Sequence, residues 1–231
     1  DASGGMEALG RGAFEAQAGN ADAARAYLEP LLSGDDDQVF YSNLLMGIGD
    51  VRAVEKEIAA GMELAPKAPE AGQDGGTEEP VVVDGPDAGS APDAGSADTP
   101  EEAEEVEEVE EKEAPNPSSF KDDPLLTRAA GALKAAGDAN ENSPLPSYWL
   151  GRVADLKGDA KGAEAAYLKA SKIGATHVAS RLALGRSLFD RGELNDAIEY
   201  LEKVNTELAP NASVSERATS LHYAGLVHVA R

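Results

Sequence analysis

Residues 148–170 read YWLGRVADLKGDAKGAEAAYLKA and residues 182–204 read LALGRSLFDRGELNDAIEYLEKV. Set one above the other, Leu150-Gly151-Arg152 falls on Leu184-Gly185-Arg186 and Lys157-Gly158-Asp159 on Arg191-Gly192-Glu193. Ala163 falls on Ala197 and Lys169 on Lys203, and every pair is 34 residues apart. A fixed period of this length marks a chain of stacked supersecondary units. A third copy begins at Tyr223-Ala224-Gly225, which corresponds to Trp149-Leu150-Gly151, with Arg231 where Lys157 and Arg191 fall. Gly225 follows Gly185 by 40 residues, so a longer connection precedes it, and the chain stops inside that copy.

Within each copy apolar residues recur at intervals of three and four, as in Leu182, Leu184, Leu188 and Phe189, and nothing alternates over a strand's length. Gly or an Asn/Asp/Pro cluster closes each stretch, which predicts helices and an all-α fold. Period and pattern together resemble the tetratricopeptide repeat. That family has an aromatic and a Leu-Gly in its first helix, a Gly at the turn and a small-aromatic-small ladder in its second helix. The ladder here is Ala163, Tyr167 and Ala170, then Ala197, Leu201 and Val204, and Pro210 lies near the family's closing proline. Gly151 and Gly185 let the two helices of a hairpin approach closely, and Ala163 and Ala197 do the same from the facing helix. Gly158 and Gly192 supply the permissive backbone of a tight turn. Tyr167 and Leu201 fill the space that the small residues leave. The second copy departs in having Ala183 where the aromatic stands, and other helical-hairpin repeats share much of this pattern. The resemblance implies antiparallel helix-turn-helix units stacked as a right-handed α-solenoid.

Working outward, residues 5–66 read as two degenerate copies. Gly12, Gly19, Ala24, Leu28 and Leu31 repeat the spacing of Gly151, Gly158, Ala163, Tyr167 and Ala170. Gly49, Val54, Ile58 and Gly61 give the second, with a turn expected at Gly49-Asp50 and Pro66 closing it. In the block 119–231, the repeats 144–177 and 178–211 and the shorter 213–231 follow a lone helix at 124–139. Ala129, Leu133 and Ala136 mark that helix as a second helix whose first is missing, so the segment before it is expected to have replaced or displaced the first.

That segment, 67–118, holds 17 of the 43 acidic and 2 of the 20 basic side chains. It contains Pro-Asp-Ala-Gly-Ser-Ala twice, at Pro86 to Ala91 and Pro92 to Ala97, and then the acidic run Glu101 to Glu113. With almost no aromatic or branched apolar side chains it cannot bury enough area to offset its backbone entropy, which predicts a disordered linker. The formal charge of -23 argues against nucleic acid, whose phosphates need clustered Lys and Arg, and against an anionic membrane surface. No run approaches the roughly 18 apolar residues of a membrane span, so no insertion is expected. Cysteine is absent, which removes thiolate chemistry without choosing a compartment. The first residues show no basic and apolar leader pattern and no initiator Met, as in a processed chain or a fragment. The Ala/Gly/Asp/Glu-rich usage is of a bacterial kind, with cytoplasm and periplasm both open.

Candidate chemistry is sparse. His177, His222 and His228 do not share the i,i+3 or i,i+4 spacing of helical metal ligands. Asp35-Asp36-Asp37 lacks the alternating ladder, Gly and closing Glu of a calcium loop. No nucleotide-binding or hydrolase motif occurs, so no cofactor, metal or catalytic residue is expected. Arg152 and Arg186 occupy one site in successive first helices. By the resemblance they face the concave groove, flanked by Tyr148, Asp155, Leu182 and Phe189. Two readings stand: internal pairing with acids such as Asp155 and Asp190, or pairing with a partner's carboxylates, which suits the guanidinium fork. The family's carboxylate clamp of Lys and Asn is absent. The expected function is a scaffold or adaptor for a protein or peptide, and Glu101 to Glu113 is a possible internal ligand for the same arginines. The alternatives are a structural module of an envelope, secretion or motility assembly, and an accessory domain of an enzyme.

Overall fold

Three glycines turn the chain. Gly19, Gly158 and Gly192 hold φ of 72, 73 and 78°, a left-handed conformation that costs a residue with a Cβ about 1–2 kcal/mol. In each turn the next N–H reaches back five residues to a helix carbonyl at 2.9 Å: Asn20 to Glu15, Asp159 to Ala154 and Glu193 to Leu188. This satisfies carbonyls that the helix end leaves open, and the following helix starts at once in the reverse direction.

The computed structural model describes residues 2–64 and 120–231, and all regular structure among them is helical. The helices are α1 (Ala2–Gln17), α2 (Ala21–Leu28), α3 (Asp36–Leu64), α4 (Pro124–Ala139), α5 (Pro144–Leu156), α6 (Ala160–Ile173), α7 (Val178–Asp190), α8 (Leu194–Asn205) and α9 (Val214–Ala230), with a 3-10 segment over Glu29–Ser33. Local chemistry sets the starts. Asp123 accepts from the N–H groups of Leu125 and Leu126 ahead of Pro124, and Ser143 accepts from Leu145 ahead of Pro144. Asp159 caps α6 through Gly162, and Ser213 with Glu216 forms a reciprocal capping box on α9.

Consecutive helices pack in pairs, α1 with α2, α3 with α4, α5 with α6 and α7 with α8; α1 and α2 both meet α3, and further along the chain α4 meets α5, α6 meets α7 and α8 meets α9. One steric rule recurs in the pairs. A methyl group at Gly12 would overlap Leu28, and one at Gly151 would overlap Tyr167. At Gly185 it would come within 2.8 Å of Leu201 Cγ. Leu28, Tyr167 and Leu201 are wholly buried, as are Ala24, Ala163, Ala170, Ala197 and Val204 beside them.

The N-terminal block departs from the expected two hairpins. There is no turn at Gly49-Asp50: α3 runs unbroken over 29 residues. The first-helix glycine is Gly47, whose methyl would lie 2.5 Å from Leu133 Cγ in α4 and 3.3 Å from the Ala129 carbonyl oxygen. The turn position seven residues later is therefore Val54, and a β-branched residue there disfavours left-handed backbone, so the helix continues. Gly49 instead lets α1 approach, with Ala16 Cα 3.3 Å from its would-be methyl. The first helix of α4 is consequently neither missing nor displaced. It is α3, and residues 65–119 are inserted inside the hairpin, between its two helices. The expectation of disorder for the linker lies outside the described residues. Among the described residues no helix is long and apolar enough to cross a membrane.

Candidate functional site

The repeat places Arg152 on α5 and Arg186 on α7 one residue after their packing glycines, so both emerge on the same side of the row. Between them lies a cleft of about 360 Å³ lined by Arg152, Asp155, Ala160, Ala183, Arg186, Ser187, Asp190 and Arg191, the last paired with Glu164 and Glu193. A larger cleft, about 490 Å³, opens between α4, α5 and α6. Its ionic groups, Lys134, Asp138, Glu141 and Lys169, form no ion pair among the described residues, whereas the smaller cleft has arginines held by carboxylates, Arg152 by Glu55 and Arg191 by Glu164.

The two arginines are in different states. Arg152 is half-buried and bonds Glu55 of α3, 97 residues away in the chain. Burial opposes its charge, but the Glu55 carboxylate outweighs burial and holds the guanidinium well above the ordinary arginine range. Arg186 is exposed, and among the described residues it forms no ion pair. Its guanidinium stands 5.2 Å from the centroid of the Tyr223 ring, a cation–π contact that leaves the N–H edges free. Neither arginine pairs directly with Asp155 or Asp190.

Asp155 accepts a hydrogen bond from the buried Tyr167 hydroxyl. Partial removal from water lifts the Asp155 carboxyl above its ordinary range even though the residue keeps an exposed edge. The Tyr167 bond and the two arginines pull the other way. Burial, then the Asp155 charge, pushes the Tyr167 phenol up, and burial also raises that of Tyr148. Both phenols stay neutral, and that of Tyr167 is a donor.

Tyr148 stands edge-on to Trp149 and to His177, with ring centroids 5.5 and 5.4 Å apart. Leu182 and Phe189 pack against the apolar cluster of α6 to α9, and Phe189 meets Tyr223 edge-on at 5.7 Å. So Arg152, Asp155 and Arg186 meet at the cleft, while Tyr148, Leu182 and Phe189 do not line it and pack instead against the apolar cluster of α6 to α9. Sequence reasoning missed Glu55, Tyr223 and the stacking of Arg52 on Trp149 at 5.5 Å. Glu55 and Arg52 lie on the stretch of α3 that was expected to follow a turn.

Asp35 caps α3 by accepting from Gln38 N–H at 2.8 Å, and no group of three potential metal-ligating side chains occurs among the described residues. The chain matches no protein-family model, and no curated protein matches it.

Proposed function

We propose that this chain is a peptide-binding scaffold of the tetratricopeptide type, its hairpins stacked as a right-handed α-solenoid, and that the cleft between α5 and α7 takes an acidic segment of a partner. The observation that carries the reading is Arg186, a guanidinium fixed over Tyr223, unpaired with any carboxylate among the described residues and at the edge of a preformed cleft. A carboxylate arriving there gains a forked, charge-assisted contact without first breaking an ion pair to any described residue. Support for the solenoid comes from the recurrent glycine-to-bulky pairing and the three equivalent turn glycines. The acidic run Glu101 to Glu113 is a candidate internal ligand, favoured by the millimolar effective concentration that a tether provides.

Fluorescence anisotropy tests this with a labelled peptide of sequence 101–113 as the acidic probe and a lysine-rich peptide of equal length as control. The acidic probe should bind a variant deleted for 101–113 more tightly than the intact chain. Arg186→Ala should weaken that binding by about tenfold, the size expected of a charge-assisted contact. Equal binding of both probes, or indifference to Arg186→Ala, contradicts the reading.

A second reading, a structural module of a larger assembly, draws on the exposed apolar side chains Met6 and Phe14 of α1 and Val214, Leu221 and Val229 of α9. Recovery of the chain only within a large complex, with no peptide affinity, would favour it.

A further inference from the structure

The hairpin of α3 and α4 differs from the other three in one respect: no tight turn joins its helices. The turn glycine of the other hairpins is replaced by Val54, and residues 65–119 intervene. Among the described residues α4 is held on α3 by side-chain contacts, and these are extensive. Phe40, Leu44, Val51 and Val54 of α3 form one buried cluster with Leu126, Ala129, Leu133 and Ala136 of α4. Gly47 receives Leu133 with the same close fit as the glycines of the tightly turned hairpins.

Charge fixes the register of the seam. The Asp50 side chain is wholly buried and is gripped from both sides, by Arg25 of α2 at 2.6 Å and by Arg128 of α4 at 2.8 Å. Arg128 also reaches Asp22 at 3.2 Å. The Asp50 hydrogen bond outweighs desolvation and holds the Arg128 guanidinium above its ordinary range. Farther along, Glu55 bonds Arg152 and Arg52 stacks on Trp149, so α5 is tied to α3 as well.

We propose that this seam is a self-sufficient docking interface between two segments of the chain, 1–64 and 120–231. A chain cut anywhere within 65–119 remains a one-to-one complex with its cleft intact. The apolar cluster supplies the attraction, and Asp50 excludes slipped registers, because any slip strands a buried carboxylate without its partners. The inserted sequence is then free to be processed or exchanged without loss of the fold. This goes beyond the peptide-binding reading and does not depend on it.

The test replaces residues 86–97 with the recognition sequence of a site-specific protease and cuts the purified, folded chain. At about 1 μM, far below the millimolar effective concentration of tethered segments, both pieces should co-elute at the volume of the uncut chain with unchanged helical circular dichroism. Separate elution or precipitation of the pieces overturns the proposal. In the same cut format, Asp50→Asn should raise the dissociation constant at least tenfold. If that variant fails to fold before cutting, Arg128→Gln, whose parent side chain is 37% exposed, is the milder substitute. Retention equal to that of the unsubstituted cut chain overturns the role given to the buried carboxylate.

Discussion

Arg128 donates to both carboxylate oxygens of Asp50 across 78 residues of chain, with Nη2 2.8 Å from Oδ1 and Nε 3.2 Å from each oxygen. Arg25 holds the other side of the same carboxylate. One wholly buried acid thus joins α2, α3 and α4. Desolvating a carboxylate is costly, and here two guanidiniums and four hydrogen bonds offset it.

Asp50→Asn keeps the shape and removes the charge, leaving both arginines facing a neutral amide. Loss of one member of a buried ionic cluster costs about 3–5 kcal/mol, so urea unfolding should show a loss of that order. A loss below about 1 kcal/mol would mean that the arginines find other partners at no cost.

The glycines divide into two classes with opposite predicted signs. Gly47→Ala and Gly185→Ala press a methyl into Leu133 and Leu201 and should each destabilise by about 1–3 kcal/mol. Gly131, in the middle of α4, has nothing within 4 Å of its would-be methyl. Gly131→Ala should therefore stabilise by about 0.8–1 kcal/mol through helix propensity alone. Denaturant midpoints decide it, and a uniform sign across the three variants would refute the packing account.

How far the sequence reveals this arrangement depends on where each pair of contacts lies. Gly151 with Tyr167 and Gly185 with Leu201 sit at a fixed short spacing, so the residues themselves display the hairpins. Gly47 with Leu133 is the same contact, but the insertion between them erases the spacing, and Gly49 offers a false turn. Val54 was the available signal, since a β-branched residue in the turn position argues for a helix that continues. For Arg152 the internal partner predicted from neighbouring residues was Asp155 or Asp190, and the observed partner is Glu55. No local pattern could place Glu55 there, because its position depends on α3 overrunning the missing turn.

Glu55 also bears on the cleft, because it occupies Arg152, one of two paired arginines there; the other, Arg191, bonds Glu164 and Glu193. Glu55→Gln should release Arg152 and increase affinity for the labelled acidic peptide about threefold to tenfold, within the range of a freed charge-assisted contact. Anisotropy titration measures this, and unchanged or weaker binding would show that Arg152 takes no part.

His177 introduces pH dependence. It occupies the N-cap position of α7, where its side chain makes no capping hydrogen bond; Nδ1 lies 2.5 Å from Ser180 Oγ and its ring 5.4 Å from that of Tyr148. Burial lowers its pKa below the ordinary 6.5, with Glu216 opposing. Below pH 6.5 the unfolded chain takes up a proton that the folded chain still refuses. Stability from this group is therefore complete above pH 6.5 and is lost as pH falls through the folded value. His177→Asn, a good cap that does not titrate, should show a smaller drop in Tm than the parent between about pH 7.5 and pH 5.5. Parallel curves would remove His177 from the account.

The most direct measurement is a ¹⁵N-resolved NMR titration of the 101–113 deletion variant with the acidic peptide. Saturable shifts should concentrate on α5 and α7 around Arg152, Asp155, Arg186 and Asp190 and be abolished by Arg186→Ala. Shifts confined to other helices, or none at millimolar peptide, would contradict peptide binding at the cleft.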